Sequence, residues 1–264
     1  MAKQNFYTYP SMEKQLKQWT VQYSADYFRL DSIGRTPAKR HLYACHLGAA
    51  DAPKQLVLTA SIHGREYINT TLLLDMLAYY LPRYNHRELP DTPCYRELWR
   101  DVCIIFLPMT NPDGVSISQN TPAKKWKENS AAVDLNRNFP CGFGLSKDIN
   151  KHNPGKSAGD QPETKHLMTF VSQLSTPLGV IHYHSQGSLI YYRKSPKPYR
   201  ENGIHRACHD RISIDRSSRK KCRKHPSRRR VRRLVRIRKK DTFDHHRNRT
   251  LFHAGSALAV QRYL

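Results

Sequence analysis

A histidine and a glutamate three residues apart, His63 and Glu66, form the first pair in the sequence that could hold a metal ion. They follow an apolar run at residues 56–58 that predicts a buried strand, and apolar residues recur at helical spacing over residues 72–80. At the end of a strand, an imidazole nitrogen and a carboxylate oxygen can point to one place, which supplies two of the three protein ligands of an open zinc site. The alternative is a surface histidine beside a solvated glutamate.

A third ligand can come from the end of another strand. Residues 178–184 form a further apolar run that ends in His182 and His184, which share one face of an extended strand. Either histidine could complete the ligand set, or both could be ordinary packing residues. The turn predicted at residues 185–187 favours His184, because the chain must bend there and can leave a fourth position open for water.

Two polar residues in a separate loop, Asn136 and Arg137, are candidates for recognising a substrate carboxylate. An arginine can bind a carboxylate through two parallel hydrogen bonds, and the asparagine amide can donate one more. The alternative is an Asx turn followed by a surface arginine.

The elements that must position these residues predict an α/β fold, with a mixed, mainly parallel sheet and helices on both faces. Sites in such sheets gather at the carboxyl ends of the strands. An amphipathic helix is expected at residues 11–29 and a turn at residues 31–40. Two further buried strands are expected at residues 101–108 and 178–184, with a turn at the NPDG sequence of residues 111–114 and a polar loop at residues 116–130.

Length and composition favour one large domain without a membrane partner. The chain has 264 residues, and no run approaches the roughly 18 apolar residues of a membrane span. The amino-terminal sequence has no apolar signal region, which predicts a cytoplasmic protein. The six cysteines form no CxxC pair and are expected to be reduced thiols.

The positive charge is concentrated at the carboxyl end. The net charge is +24, and residues 205–264 contain 20 of the 45 basic residues but only 4 of the 21 acidic ones, none of them glutamate. A composition break inside a folded domain is unexpected. One interpretation is an appended basic tail, solvated or bound to a polyanion.

Four motifs, in order and spacing, resemble the zinc metallocarboxypeptidase family of the carboxypeptidase A type over about residues 7–200. They are HGRE after one strand, NPDG after the next, DLNRNFP some twenty residues on, and YHSQG followed by LIYY. The resemblance implies one Zn2+ per chain, bound by His63, Glu66 and His184. It also implies that Asn136 and Arg137 hold the terminal carboxylate of the substrate.

Lys127, just after Trp126, occupies the place where animal members of this family carry an arginine that polarises the scissile carbonyl. A lysine there departs from the family pattern. It can supply positive charge, but it lacks the planar set of donors that a guanidinium offers.

The sequences of the last two motifs, VDLNRNFP and YHSQG, resemble those of the bacterial branch of γ-D-glutamyl-meso-diaminopimelate peptidases and murein peptide amidases. This implies a peptide substrate derived from the cell wall. The family also uses a glutamate in a late strand of the type TIEIG, which exchanges a proton with the zinc-bound water. No such glutamate exists here, since Glu201 is the last glutamate of the chain and lies too early.

The genetic code offers a reason for this loss. Permissible codons for residues 239–249, read one nucleotide out of frame, encode KKIPSITIEIG, and neighbouring segments also yield family-like sequences. We therefore predict a one-nucleotide frameshift near residues 212–216. Residues 1–204 would then form an incomplete catalytic domain, and residues 205–264 would be its frameshifted remainder, non-native or disordered, which leaves an edge of the sheet unpaired.

Two further functions stay open. The chain could be a catalytically dead protein that binds zinc and peptide, because it keeps the ligands and the carboxylate clamp without the base. It could also bind a polyanion through its arginine-rich tail. Nucleic acid is disfavoured as a partner, because residues 228–240 have no aromatic residues between the basic ones.

Overall fold

An eight-stranded mixed sheet is the centre of the fold. The computed structural model describes residues 6–120, 125–140, 143–144, 152–185, 189–193, 209–213 and 257–261. The strands, in chain order, are β1 (Phe28–Arg35), β2 (His41–Leu47), β3 (Lys54–Thr59), β4 (Val102–Leu107), β5 (Pro177–His184), β6 (Leu189–Arg193), β7 (His209–Ser213) and β8 (Ala257–Gln261). Their order across the sheet is β1-β2-β4-β3-β5-β8-β6-β7.

Parallel pairing is found mainly at the centre of this sheet. Strand β3 is parallel to both β4 and β5, so the carboxyl ends of these three strands lie at one edge. Strands β1, β2 and β4 pair antiparallel, as do β5 with β8 and β6 with β7, whereas β6 and β8 are parallel. The prediction of a mixed sheet is confirmed, but its flanks are more antiparallel than expected because short connections such as residues 36–40 can join only antiparallel strands.

Helices cover both faces of the sheet, as the sequence predicted. They are α1 (Tyr9–Gln22), α2 (Ile68–Arg83), α3 (Tyr95–Leu98), α4 (Pro112–Asn120), α5 (Leu135–Asn138) and α6 (Pro162–Ser172). Alternation along β4 divides the core: Phe106 packs on the side of α1 and α2, and Ile105 packs on the side of α6. Fully burying one such side chain contributes about 1.5–3 kcal/mol.

The first helix is shorter than predicted. It begins after the N-cap Thr8, whose side chain and that of Ser11 form a capping box, and it ends at Gln22 instead of residue 29. Phe28 is buried in the core as the first residue of β1, so this part of the chain joins the sheet. Residues 31–35 of the turn expected at residues 31–40 are therefore β-strand, and residues 36–40 form the connection to β2.

Strand β5 is paired with β8 on the side away from β3. Five residues of each strand pair, from Val180 with Gln261 to His184 with Ala257. Among the described residues, the unpaired edge that the sequence predicted is therefore not found at β5. Strands β7 and β8 belong to the carboxyl-terminal part that was expected to be non-native or disordered, and the other residues of that part, like the proposed boundary at residue 204, lie outside the described residues.

No described helix is long and apolar enough to cross a membrane.

Candidate metal centre

The turn after β3 positions the first two candidate ligands. Ser61, two residues after the end of β3, has a positive φ of 55°, which non-glycine residues adopt only at special turns. Its hydroxyl donates to the carbonyl oxygen of Glu66 at 3.2 Å and contacts the hydroxyl of Thr70 at 2.7 Å. Residues Gly64–Glu66 form a single 3-10 turn that leads into α2. His63 and Glu66 are thus fixed between the strand and the helix that the sequence predicted.

Two glycines bring three segments of main chain together at this turn. A methyl group on Gly64 would come within 2.5 Å of the Gly114 carbonyl oxygen, and one on Gly114 would come within 2.3 Å of the Glu128 carbonyl oxygen. The Asn111 side chain joins the same segments, because its amide donates to the carbonyl oxygens of Ile62 and Glu128, both at 3.0 Å. The NPDG sequence therefore leads into helix α4 and also sets the distance between the turn at His63 and the segment at Glu128.

The carboxylate of Glu66 lies between two imidazole rings. One carboxylate oxygen is 3.1 Å from His63 Nδ1, and the other is 2.9 Å from His184 Nδ1. One ligand atom from each of the three residues lies within 4.8 Å of the other two, and all three side chains are buried. The structure thus brings together the three predicted ligands from the ends of β3 and β5, and their binding of zinc stays a prediction.

The donor set fits a zinc ion. Two histidines and one glutamate form an open three-ligand set that leaves a fourth position for water. Both ring nitrogens of His63 are buried and find no hydrogen-bond partner in the part of the chain that the structure describes, although each has a carboxylate oxygen nearby. A buried nitrogen without a hydrogen bond costs free energy unless it binds something else, which a metal ion at Nδ1 would satisfy.

The charges of the site favour an ionised Glu66. Burial alone raises the pKa of Glu66, but the contacts with His184 and His63 outweigh burial and lower this pKa to about 2. Burial likewise lowers the pKa of His63, yet the neighbouring carboxylates of Asp134 and Glu66 raise it above its usual value. Glu66 is therefore available as an anionic ligand over the whole neutral range.

The other histidine of β5, His182, makes a different contact. Its Nδ1 lies 2.6 Å from the hydroxyl of Thr59, its partner in the register of β3 and β5. Burial, together with the charge of His184, lowers the pKa of His182 to about 3, so its ring is neutral. The choice of His184 over His182 as the third candidate ligand agrees with this geometry.

A carboxylate that the sequence analysis missed, Asp134, supports the ring of His63 from the other side. Its Oδ1 atom lies 3.3 Å from His63 Nε2 and accepts a 3.1 Å hydrogen bond from the Asn136 main-chain nitrogen. The residue has no exposed surface. The one signal for it in the sequence is its position before Leu135, where an aspartate can cap the short helix α5.

The predicted substrate residues lie on the same segment. Asn136 and Arg137 belong to α5, directly after Asp134; Asn136 is exposed and Arg137 is partly exposed. A guanidinium nitrogen of Arg137 donates to the Asn136 carbonyl oxygen at 3.1 Å. Lys127 also lies here, with its ammonium group against the Asp134 carboxylate. Asp134 thus links the metal ligands to the candidate carboxylate clamp, whose role stays a prediction.

Comparison with known families identifies the class of protein. The family described as zinc carboxypeptidase matches residues 12–257, so the chain belongs to that family. The resemblance seen in the sequence motifs is confirmed. The family is zinc-dependent, which agrees with the group of His63, Glu66 and His184.

Over the aligned residues, particular relatives are about a quarter identical to this chain. Gamma-D-glutamyl-L-diamino acid endopeptidase 1 of Lysinibacillus sphaericus is 26% identical over 163 residues, which is 53% of this chain and 41% of that protein. Carboxypeptidase D of Rattus norvegicus is 28% identical over 172 residues, 62% of this chain and 11% of that protein. The matched region thus spans less than half the length of either relative.

Solved structures show the same fold. Thrombin-activatable fibrinolysis inhibitor aligns with a TM-score of 0.64 at 17% identity, over 75% of this chain and 52% of that chain. Carboxypeptidase A of Helicoverpa armigera aligns with a TM-score of 0.60 at 19% identity, over 72% of this chain and 48% of that chain. The carboxypeptidase-like α/β fold predicted from the sequence is confirmed.

Proposed function

We propose that the metal centre is that of a zinc-dependent peptidase that cleaves a peptide bond next to a terminal residue bearing a carboxylate. The observation that supports this most strongly is the convergence of His63, Glu66 and His184, from two separate strand ends, within 4.8 Å. Membership of the zinc carboxypeptidase family supports the same reaction class.

The proposed substrate is a γ-D-glutamyl-diaminopimelate peptide derived from peptidoglycan, encountered in the cytoplasm. The name of the Lysinibacillus sphaericus relative specifies γ-D-glutamyl-L-diamino acid bonds. Arg137 supports this proposal, since its guanidinium is partly exposed on the segment that also carries Asp134. A guanidinium pairs with a carboxylate through two parallel hydrogen bonds, and the exposed Asn136 amide can donate one more.

The residues of the candidate site can account for metal binding in such a reaction, but not for proton transfer. Zinc, when bound, polarises the scissile carbonyl and lowers the pKa of its water toward about 7. In this chain, His63, Glu66 and His184 would hold the metal, and Asp134 orients the ring of His63. A separate carboxylate must then move the proton of the water to the leaving amine. Among the described residues, both carboxylates of the centre, Glu66 and Asp134, are already held by histidines.

We therefore propose that the chain as written binds zinc and peptide but turns over little or no substrate. The sequence supports this, because it has no glutamate after Glu201 and the segment expected to carry the base reads as frameshifted sequence. The same observation favours a second candidate function, a zinc-dependent peptide-binding protein without catalysis.

The test combines three measurements on the full chain. We expect one zinc per chain by metal analysis, binding of a γ-D-glutamyl-diaminopimelate peptide by calorimetry, and hydrolysis of that peptide no faster than in a control treated with chelator. An amidated version of the peptide, which lacks the terminal carboxylate, should bind at least about 10-fold more weakly, since it loses a charge-assisted pair. Failure to bind zinc, or equal binding of both peptides, would contradict the proposal.

A further inference from the structure

The position of Lys127 differs from the one its sequence motif implies. Its ammonium group contacts the Asp134 carboxylate instead of standing free to meet a substrate carbonyl. The Lys127 side chain is 14% exposed and that of Asp134 is fully buried, so the ion pair is largely shielded from water. Charge pairs in such surroundings interact more strongly than pairs at the surface.

The two oxygens of Asp134 have separate partners. Oδ1 faces His63 Nε2 and accepts from the Asn136 nitrogen, whereas Oδ2 contacts the Lys127 ammonium and lies 3.2 Å from His152 Nδ1. Contacts at both oxygens fix the plane of the carboxylate. The direction in which Asp134 presents Oδ1 to His63 therefore depends on what is bound at Oδ2.

The main chain of Lys127 is fixed as well. Its carbonyl oxygen accepts a 2.9 Å hydrogen bond from the nitrogen of Gly64, the residue after His63. Its nitrogen donates to the Glu128 side chain at 3.1 Å. Lys127 is thus joined to the ligand turn through its backbone and to Asp134 through its side chain, so it connects both sides of His63.

Movement of Lys127 to a substrate carbonyl would have a cost. It would leave Oδ2 of a fully buried carboxylate with His152 as its only remaining contact among the described residues. Removing one partner of a buried ion pair is strongly destabilising, because the remaining charge is less well compensated. A role in which Lys127 stays where it is requires no such cost.

We propose that Lys127 is a positioning residue that acts through Asp134 on His63 and so supports metal binding, instead of polarising the substrate. This inference rests on the proposed function, since it assumes that the centre holds zinc. It predicts that Lys127 affects the metal before any substrate is present. A lysine that acts only on the scissile carbonyl predicts no effect on the metal at all.

The test is a double-mutant cycle on metal affinity in the full chain without substrate. The variants are Lys127→Met, Asp134→Asn and the double substitution, titrated with Zn2+ and with Co2+, whose visible spectrum reports ligand geometry. Changes to the outer contacts of a metal ligand weaken affinity by about 10- to 100-fold. We expect Lys127→Met to weaken binding about 10-fold and to change the cobalt spectrum. In the Asp134→Asn background the same substitution should change affinity less than about twofold.

Two further variants separate this effect from loss of the fold. Lys127→Gln keeps a donor for Oδ2 without the charge and should weaken affinity less than Lys127→Met, which keeps the test valid if the methionine variant unfolds. Lys125→Met removes the same charge from an exposed residue two positions away and should bind metal like the parent chain. Thermal melting of the metal-free variants checks that each one folds.

Unchanged zinc affinity and an unchanged cobalt spectrum in both Lys127 variants would overturn this inference while leaving the proposed function standing. Additive effects of Lys127→Met and Asp134→Asn would also overturn it, since Lys127 would then act independently of the carboxylate. If the parent chain binds no metal, both the inference and the proposed function fail.

Discussion

The candidate metal-binding region and the segment expected to supply the catalytic base differ in how regular their sequences are. The candidate ligands follow β3 and end β5, inside a region of regular strands and helices with a buried core. Residues 205–264 carry 20 basic residues and no glutamate. The candidate ligands and the predicted proton-transferring carboxylate belong to separate segments of the chain, so we expect that one set can survive the loss of the other.

This difference shows that a metal site can be retained for structural reasons. Glu66 and Asp134 are buried charged groups whose partners are the two histidines and Lys127. Removing any one of them takes a partner from a buried charge, which destabilises the fold. The predicted loss of the base would carry no such penalty. A complete ligand set therefore supports family membership more firmly than it supports turnover.

The largest expected effect comes from restoring the alternative reading frame from about residue 215 onward. The restored chain would contain KKIPSITIEIG and regain a carboxylate for proton transfer, which contributes about 10²- to 10⁴-fold in rate. We expect hydrolysis of the γ-D-glutamyl-diaminopimelate peptide to increase by that factor over the present chain. The matched control replaces the restored glutamate by glutamine and should abolish the gain. No increase in the restored chain would remove the frameshift from the explanation, as would an unshifted frame in independent sequencing of related genes.

Comparing the two histidines of β5 tests the metal-binding part directly. We expect His184→Ala to weaken zinc binding about 100-fold or more, because it removes a direct ligand. His182→Asn keeps a polar partner for Thr59 and should retain zinc affinity close to that of the parent chain. Equilibrium dialysis against Zn2+ measures both. The reverse result, with His182→Asn losing zinc, would assign the third ligand to His182.

Deletion of residues 257–264 tests whether the carboxyl-terminal region contributes to the fold. Strand β8 pairs with both β5 and β6, so its loss would leave strand edges open. We expect a lower melting temperature, by about 5 °C or more, and aggregation visible on size-exclusion chromatography. Deletion of residues 262–264 alone, which follow β8, is the control. Equal stability of all three chains would show that the metal-binding region does not need β8.

A smaller effect is expected at Glu163, where the metal-binding region contains an unfavourable charge. This buried side chain accepts a 3.3 Å hydrogen bond from Asn129 at one oxygen, and the other oxygen has no hydrogen-bond partner among the described residues. Burial raises its pKa, and the charge of Asp113 adds to the effect. When the pKa of a carboxyl group is raised in the folded state, the free energy of unfolding of the protein falls as the pH rises through that value.

We therefore expect Glu163→Gln to raise the melting temperature by roughly 2–4 °C at pH 8 and by less at pH 4. Calorimetric melts at the two pH values measure the difference. Glu88→Gln, on a side chain that is 66% exposed, should show no such dependence. A gain that is equal at both pH values would indicate a packing effect instead of a charge effect.

The parts of the fold that the sequence predicted are those with strong local signals. The strand, turn and helix around His63 combine an apolar run with helical periodicity, and the structure has all three. Strand β1 was missed because its middle and end are mostly polar and only partly buried. Helix α4 was missed because NPDG favours a turn, whereas Pro112 and Asp113 in fact begin a helix.

The site was predicted to the same extent. The metal ligands lie in recognisable motifs, but the partnership of Asp134 with His63 joins residues 71 positions apart and arises only in the folded chain. The engagement of Lys127 with that carboxylate is likewise a tertiary contact. Local spacing can suggest which residues bind a metal, but it does not show which residues hold those ligands in place.

The close contacts at Gly64 and Gly114 limit how this site can change. The ligand turn, the start of α4 and the segment at residues 126–128 touch through main-chain atoms, with no room for a methyl group between them. A side chain at either position would push the metal ligands away from Lys127 and Asp134 at the same time. Transfer of the site to another scaffold would therefore require all three segments and both glycines, because the HGRE sequence alone does not carry the spacing.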